Sequence, residues 1–278
     1  MVLLGSADFK YKVSGTDWGY LPEGWHYGEA TSVASDSKDN IYIFNRGSHP
    51  MIVLSQNGDF IRSWGEGMFS NPHGIAIGPD DSVYCVDNGD HTVRKFTSDG
   101  RLLLTLGTAG EPSAPMSGKP FNRPTHVAIE PDTGNFYVAD GYTNASVHKY
   151  SPDGKLLFSW GESGTGPGQF NIVHNITVDS KGWVYIADRE NHRIQVFDST
   201  GKFETQMVNL SRAAAVCIDN GSGEELMYIG EYFAGIGSNN MGTDLGPRVT
   251  IMNLKGEIKV LPKHPVLTGL WSKKPFSV

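Results

Sequence analysis

Three histidines lie at a constant spacing before an aspartate further along the chain. The pairs, each fourteen residues apart, are His73 and Asp87, His126 and Asp140, and His174 and Asp188. Neutral imidazoles are common zinc ligands, and three protein ligands with one water make an open, catalytic zinc site. Repeated placement of these side chains around one axis would therefore predict a zinc centre. The competing interpretation is that each histidine only hydrogen-bonds to neighbouring backbone.

The aspartates of these pairs belong to a series of polar residues at the ends of short apolar segments. The series is Asn45, Asp87, Asp140, Asp188 and Glu231. We take Asp87, Asp140 and Asp188 as supporting residues of the predicted site. The alternative is structural, because carboxylates at strand ends also accept hydrogen bonds from the backbone of adjacent turns.

A repeated turn shows which elements must position these residues. Each turn has a glycine before a short strand, at Gly58, Gly100, Gly154, Gly201 and Gly256. Glycine suits these tight hairpins because it accepts positive φ at little cost. Four short strands can be read in each unit of about 40–55 residues, a pattern typical of β-propeller blades. The sequence thus predicts an all-β propeller in which the innermost strands carry the histidines to one mouth of a central channel.

The number of blades depends on the two ends of the chain. Residues 1–278 are predicted to form one propeller domain with five clear four-stranded blades. In the leader, residues 1–25, Phe9–Val13 is expected to add an outer strand to the last blade and close the ring. Residues 262–278 are expected to form a reduced last blade, which gives a six-bladed plan. A five-bladed ring is the alternative.

Charge and composition restrict the partners. The chain has 23 basic and 30 acidic residues, a net charge of −7 at pH 7, and no basic block. These features argue against nucleic acid or an anionic membrane as the main partner. The expected partner is a small-molecule or peptide substrate. No apolar run approaches the ~20 residues of a membrane span. Because the N-terminus also lacks a cationic signal-peptide region, a cytoplasmic location is expected.

Several segments carry a resemblance to a known family. Residues 184–197 look like an NHL repeat, and residues 20–260 resemble the catalytic core of peptidyl-α-hydroxyglycine α-amidating lyases and their bacterial relatives. Ile43–His49 is similar to the segment that carries the lyase active-site arginine. Tyr137–Asn144 is similar to the segment with its proposed catalytic tyrosine. The triplets centred on His73 and His174 match two of its three zinc-binding histidine segments.

The resemblance implies a mechanism and a ligand set. His73 and His174 would bind zinc, with His126 or His264 as the third ligand, and Tyr142 would serve as general base or proton shuttle. Arg46 would pair with a substrate carboxylate or a developing oxyanion. The expected reaction is C–N cleavage of an α-hydroxyglycine to an amide and glyoxylate. The lyase calcium site is not expected, because Pro265 follows His264 where that family has an acidic residue.

Two other functions remain as alternatives. A non-catalytic NHL propeller would bind a protein or peptide partner without metal and would present a broad apolar patch. A metal-dependent hydrolase of a small lactone or amide would need several acids that converge on the channel. The aligned channel positions instead hold mainly histidines.

Overall fold

The computed structural model describes residues 3–6, 9–12, 18–219, 223–233 and 247–260. Five four-stranded antiparallel sheets follow one another along these residues and form a five-bladed propeller. The described residues contain one helical segment, the 3₁₀ turn Arg189–Asn191. This architecture confirms the prediction of an all-β propeller with five clear blades.

Each blade runs from its innermost to its outermost strand in chain order. Blade 1 contains β3 (Ala30–Ser35), β4 (Ile41–Asn45), β5 (Met51–Leu54) and β6 (Phe60–Trp64). Blade 2 contains β7 (Pro72–Ile77), β8 (Val83–Asp87), β9 (Thr92–Phe96) and β10 (Leu102–Leu106). Blade 3 contains β11 (His126–Ile129), β12 (Phe136–Asp140), β13 (Ser146–Tyr150) and β14 (Leu156–Trp160).

The remaining strands complete the later blades and two small pairs. Blade 4 contains β17 (Val173–Val178), β18 (Val184–Asp188), β19 (Arg193–Phe197) and β20 (Phe203–Met207). Blade 5 contains β21 (Arg212–Asp219), β22 (Leu226–Tyr232), β23 (Arg248–Asn253) and β24 (Ile258–Val260). Outside the blades are the hairpin of β1 (Leu3–Ser6) and β2 (Phe9–Lys12) and the parallel pair of β15 (Glu162–Ser163) and β16 (Gln169–Phe170).

The apolar core lies between successive blades. Phe44 of blade 1 packs in one cluster with Ile75 of blade 2, and Tyr84 of blade 2 packs in the next with Phe136 of blade 3. Two further clusters join blades 3 and 4 and blades 4 and 5. Burial of each large apolar side chain stabilises the fold by about 1.5–3 kcal/mol, so the interfaces fix the inner strands relative to one another.

One repeated turn shows why the glycine series is needed. Gly100 has φ +92°, and a Cβ atom placed on it would lie 2.6 Å from Cγ of Trp64 in the preceding blade. Another residue type would therefore meet both backbone strain and a steric clash. The absence of a side chain lets the outer turn of blade 2 close against the outer strand of blade 1.

The ring-closing strand of the leader stays a prediction, because the last blade that it would extend lies outside the described residues. β2 pairs with β1 in a hairpin, while β24 occupies the outer position of blade 5 within the described residues. The Tyr11 hydroxyl lies 2.9 Å from the Tyr228 hydroxyl of blade 5. The predicted reduced blade at 262–278, together with His264, lies outside the described residues. No helix in the described ranges is long and apolar enough to span a membrane.

Candidate functional site

His73 and His174 occupy matching irregularities in the innermost strands of blades 2 and 4. In blade 2, Pro72 pairs with Asp87 and Gly74 with Val86, which leaves His73 as the extra residue. In blade 4, His174 is the extra residue between the paired neighbours Val173 and Asn175. A β-bulge redirects the side chain of its extra residue. The two bulges therefore account for two histidines that point out of the regular ladder and towards each other.

His126 does not share this position, although its spacing to Asp140 is the same. His126 pairs directly with Ala139 in a regular ladder. The turn between β11 and β12 has six residues, 130–135, whereas the corresponding turn of blade 2 has five, 78–82. A shift of one residue sends a side chain to the other face of a strand. The expected equivalence of the three histidines is therefore wrong for His126.

The environment of His126 differs accordingly. Its Nδ1 atom is buried without a hydrogen-bond partner. Burial lowers the pKa of His126 to about 4, and the nearest backbone interactions are with Val127, Ile176 and Ile75. The preceding residue, Thr125, supplies its carbonyl oxygen to the site. His126 thus lies in the channel lining beside the site but outside its hydrogen-bond network.

Backbone carbonyls of the next blade orient both bulged histidines. Nδ1 of His73 donates to the carbonyl oxygen of Thr125 at 2.8 Å, and Nδ1 of His174 donates to that of Ala214 at 2.6 Å. A carbonyl oxygen can only accept, so the proton of each neutral imidazole lies on Nδ1. Each Nε2 then presents a lone pair to the channel. Carbonyl groups commonly orient metal-binding histidines in this way.

The Tyr142 hydroxyl lies between the two Nε2 atoms. Its oxygen is 3.1 Å from Nε2 of His73 and 3.0 Å from Nε2 of His174. The hydroxyl has one proton, and both nitrogens are acceptors when Nδ1 is the protonated atom. One of these two contacts therefore brings lone pairs together without a proton. A cation at this point would satisfy all three groups.

Burial keeps both imidazoles uncharged at neutral pH. It lowers the pKa of His73 to about 4, and the charges of His126, Arg46 and Arg189 lower it further against the opposing Thr125 hydrogen bond. Burial also lowers the pKa of His174 well below its usual value, assisted by the charges of His73 and Arg189. Uncharged imidazole is the form that binds a metal.

Arg46 lies at the edge of this cluster. Its Nε donates to the carbonyl oxygen of Pro72 at 3.2 Å, and its Nη1 forms an ion pair with Glu29 at 2.8 Å. The side chain retains 33% exposure. The hydrogen bond to Pro72 holds the guanidinium next to the His73 bulge, with its other N–H groups left for a ligand.

Two arginines that sequence reasoning did not select face the ring of Tyr142. The guanidinium carbons of Arg123 and Arg189 lie 5.5 and 5.6 Å from the ring centroid. Repeat position could have identified Arg189, because it directly follows Asp188 as Arg46 follows Asn45. Arg123 carries no such signal, because only the folded chain brings it to Tyr142.

The three predicted supporting aspartates are engaged in hydrogen bonds at the starts of their own blades. Each is fully buried and accepts a backbone N–H from the start of its blade, donated by Asn71 to Asp87, by Asn122 to Asp140 and by Asn171 to Asp188. Asp188 also receives hydrogen bonds from Arg193, Asn191 and Gln195. Their observed contacts are those of the structural alternative.

The described residues contain no group of three His, Cys, Asp or Glu side chains placed to hold a metal. They do contain two imidazoles that converge on one hydroxyl. His264, the alternative third ligand, lies outside the described ranges.

The sequence is similar to NHL proteins and to amidating lyases. The NHL repeat family model matches residues 69–96 and 170–197. NHL repeat-containing protein 3 of Homo sapiens is 39% identical over 199 residues, which cover 67% of this chain and 56% of that protein. Peptidyl-alpha-hydroxyglycine alpha-amidating lyase 1 of Drosophila melanogaster is 41% identical over 159 residues, which cover 52% of this chain and 29% of that protein. The chain thus spans only part of the length of these relatives.

Solved structures support the same fold. A protein of unknown function from Bacteroides caccae has a TM-score of 0.63 to this chain at 15% identity, over 93% of this chain and 86% of that one. The fold and the repeats define an NHL-repeat β-propeller. Among such propellers, the chain resembles peptidyl-α-hydroxyglycine α-amidating lyase.

Proposed function

We propose that this propeller is a zinc-dependent lyase that cleaves the C–N bond of a small α-hydroxylated substrate at its channel mouth. The observation that carries the proposal is the convergence of two Nε2 lone pairs on the single Tyr142 hydroxyl. The similarity to the Drosophila lyase supports the reaction type. The substrate class is an N-acyl or peptidyl α-hydroxyglycine, and the products are an amide and glyoxylate.

The donor set fits zinc. Nε2 of His73 and Nε2 of His174 would hold the ion, since both nitrogens are unprotonated and both rings are oriented through Nδ1. The third position is open to His126, which lies beside the cluster, or to His264, which lies outside the described residues. Bound zinc would supply Lewis acidity that lowers the pKa of a substrate hydroxyl.

Tyr142 is suited to move the proton in this reaction. Its hydroxyl would give its proton to the amide nitrogen and take the proton of the substrate hydroxyl in the same step, so the phenol ends as it began. The hydroxyl carbon becomes a carbonyl, and the electron pair of the C–N bond goes to nitrogen. The guanidinium groups of Arg123 and Arg189 place positive charge beside the oxygen that carries negative charge in transit.

Arg46 is suited to stabilise an anionic oxygen. Its bond to the Pro72 carbonyl fixes the guanidinium plane next to His73, and its remaining donors can bind a substrate carboxylate or a developing oxyanion. A preorganised donor of this kind needs little rearrangement during the reaction.

The decisive experiment combines metal analysis with a product assay. Zinc content of the purified full chain is measured by elemental analysis for the wild type, His73→Ala and His174→Ala, with the exposed His26→Ala as matched control. Glyoxylate release from a peptidyl α-hydroxyglycine is measured on the same samples. We expect zinc and activity in the wild type and the control, and loss of both in the two site variants. A metal-free wild type whose zinc uptake is unaffected by either site change would end the proposal.

A second candidate is a non-catalytic binding platform for a protein or peptide. The 39% identity to NHL repeat-containing protein 3 favours it, because that name records repeats rather than a reaction. Under this alternative, neither the wild type nor His73→Ala would need added zinc to bind the partner. No glyoxylate would form with either protein. A carboxylate-bound metal hydrolase has less support, because Asp87, Asp140 and Asp188 are engaged with backbone N–H groups.

A further inference from the structure

Arginines outnumber the carboxylates that pair with them around the Tyr142 site, in a chain that is negative overall. Four arginines are linked to the Tyr142 site directly or through an ion pair: Arg46, Arg123, Arg189 and Arg212. Two carboxylates face them, since Glu29 pairs with Arg46 and Glu190 pairs with both Arg189 and Arg212. Four arginines thus face two carboxylates in this group of side chains. Such a local field attracts anions.

Arg123 differs from the other three because its guanidinium has no acceptor among the described residues. Arg46 is 2.8 Å from Glu29, Arg189 is 2.7 Å from Glu190, and Arg212 donates to Glu190 from two nitrogens. The Arg123 guanidinium instead lies over the face of the Tyr142 ring. Its side chain is exposed at the mouth, so its five N–H donors are available to a ligand.

The backbone holds Arg123 at this point. Its φ is +60°, an uncommon value for a residue other than glycine. Its N–H donates to Nδ1 of His91 at 3.1 Å, and its carbonyl accepts the Tyr142 N–H at 3.4 Å. The conformation belongs to the repeat position, because Ile172 of blade 4 has φ +63° and its carbonyl likewise accepts the N–H of Arg189. These bonds keep the guanidinium beside the residue that we propose as proton shuttle.

The repeat shows what is unusual about this residue. In blade 1 the N–H of Arg46 donates to the carbonyl of Glu29, as the N–H of Tyr142 donates to the carbonyl of Arg123 in blade 3. The position that holds an acid beside Arg46 thus holds Arg123 beside Tyr142. Blade 1 supplies a counter-ion for its arginine, whereas the described residues supply none for Arg123.

We propose that Arg123 is the specificity-determining residue that binds the carboxylate of the substrate. A planar guanidinium recognises a carboxylate through two parallel hydrogen bonds, and an unpaired one gives up no existing ion pair to do so. The proposal rests on the proposed function for its substrate class, and it assigns the carboxylate to Arg123. Arg46, already paired with Glu29, is then left to the oxygen that gains charge during the reaction.

The test uses a non-reacting ligand pair on the zinc-supplemented full chain. Hippurate carries the N-acylglycine carboxylate, and hippuramide has the same shape without the charge. Dissociation constants are measured by titration calorimetry for the wild type, Arg123→Gln, Arg123→Lys and Arg46→Gln. Arg101→Gln, an exposed arginine in the outer turn of blade 2, is the matched control. Gln and Lys each carry a Cβ atom, as Arg does, so the positive φ at position 123 strains the backbone equally in all three proteins.

We expect the wild type to bind hippurate at least about tenfold more tightly than hippuramide, in line with a charge-assisted hydrogen bond. Arg123→Gln should abolish this preference without changing hippuramide binding, Arg123→Lys should retain part of it, and the control should retain all of it. An unchanged preference in Arg123→Gln, a preference abolished by Arg46→Gln instead, or no binding of either ligand to the wild type would overturn the assignment.

Glyoxylate assays on the same proteins distinguish a failure of the carboxylate site from a failure of the lyase proposal. If an Arg123-dependent preference for hippurate is present but no variant releases glyoxylate, the lyase proposal fails and the carboxylate site stands. If the wild type is active, Arg123→Gln should raise KM about tenfold with little change in kcat, because the carboxylate is bound equally before and during the reaction. A fall in kcat with unchanged KM would contradict a role in ground-state binding.

Discussion

Two sets of polar side chains lie near the same mouth of the propeller and differ in how fully their hydrogen bonds are satisfied. Asp188, at the end of β18, receives hydrogen bonds from one backbone N–H and three side chains. His73, Tyr142 and His174 share one hydroxyl proton between two acceptors. A satisfied buried network stabilises one structure, whereas a buried acceptor without a donor costs free energy until water or a ligand supplies one. The Asp188 network thus stabilises the blade, whereas the His73–Tyr142–His174 cluster has an acceptor that a ligand could bind.

The largest effect is expected from removal of the shared hydroxyl. Tyr142→Phe should lower kcat by about 100- to 10,000-fold, the range for loss of a general acid–base group. Zinc content should be unchanged, because the two Nε2 atoms remain. The free energy of unfolding should stay near the wild-type value, since the hydroxyl cannot satisfy both histidines. Steady-state glyoxylate assays and urea unfolding measure these quantities, and a variant with full activity would remove Tyr142 from the mechanism.

Loss of Asp188 from its hydrogen-bond network should lower stability, in contrast to loss of the Tyr142 hydroxyl. Asp188→Ala leaves the buried Arg193 guanidinium without its 2.7 Å partner, so the free energy of unfolding should fall by about 3–5 kcal/mol. Urea unfolding followed by tryptophan fluorescence measures the loss. The exposed Asp132→Ala is the control and should stay within about 0.5 kcal/mol. A loss below about 1 kcal/mol for Asp188→Ala would show that the blade-end acids do not hold the fold.

Zinc should convert the unsatisfied cluster into a stabilising one. At a free zinc concentration of one hundred times Kd, the free energy of unfolding of the wild type should rise by about 2.7 kcal/mol, because binding favours the folded state. His73→Ala should show no such rise at the same concentration. Thermal or urea unfolding with and without zinc measures the shift. An equal shift in both proteins would mean that zinc binds elsewhere.

A smaller effect is expected at the buried ion pair of Glu130 and Lys149, 2.7 Å apart in blade 3. Burial raises the pKa of Glu130, but bonds from Lys149, Thr133 and Tyr137 outweigh it and leave the pKa below its usual value. The carboxylate therefore contributes stability above about pH 4.3, its unfolded pKa, and the contribution is lost as pH falls through the folded pKa. Glu130→Gln should cost about 2 kcal/mol at neutral pH.

The pH profile distinguishes this explanation from a simple packing defect. Urea unfolding between pH 7 and pH 3 should show a flatter acid limb for Glu130→Gln than for the wild type. Glu204→Gln, an exposed change in β20, should leave the profile unchanged. Parallel profiles for Glu130→Gln and the wild type would show that ionisation of Glu130 does not contribute to stability.

Much of the fold and part of the site could be predicted because the signals are local. Turn glycines such as Gly100 and the alternating apolar strands identify five blades without reference to distant residues. Repeat spacing and family resemblance point to His73, His174 and Tyr142, and the structure brings these three residues together. Arg189 could have been found in the same way, from its place after Asp188.

The sequence by itself determined the repeating strands, the five blades and the residue types at the channel mouth, because hydrophobic alternation and turn chemistry act over a few residues. Tertiary structure alone decided which side chains meet. One extra residue in the turn 130–135 shifts the register of His126, so equal spacing gave a wrong equivalence. Packing of separate blades likewise brings Arg123 to Tyr142, and no spacing along the chain encodes a contact between loops of a closed ring.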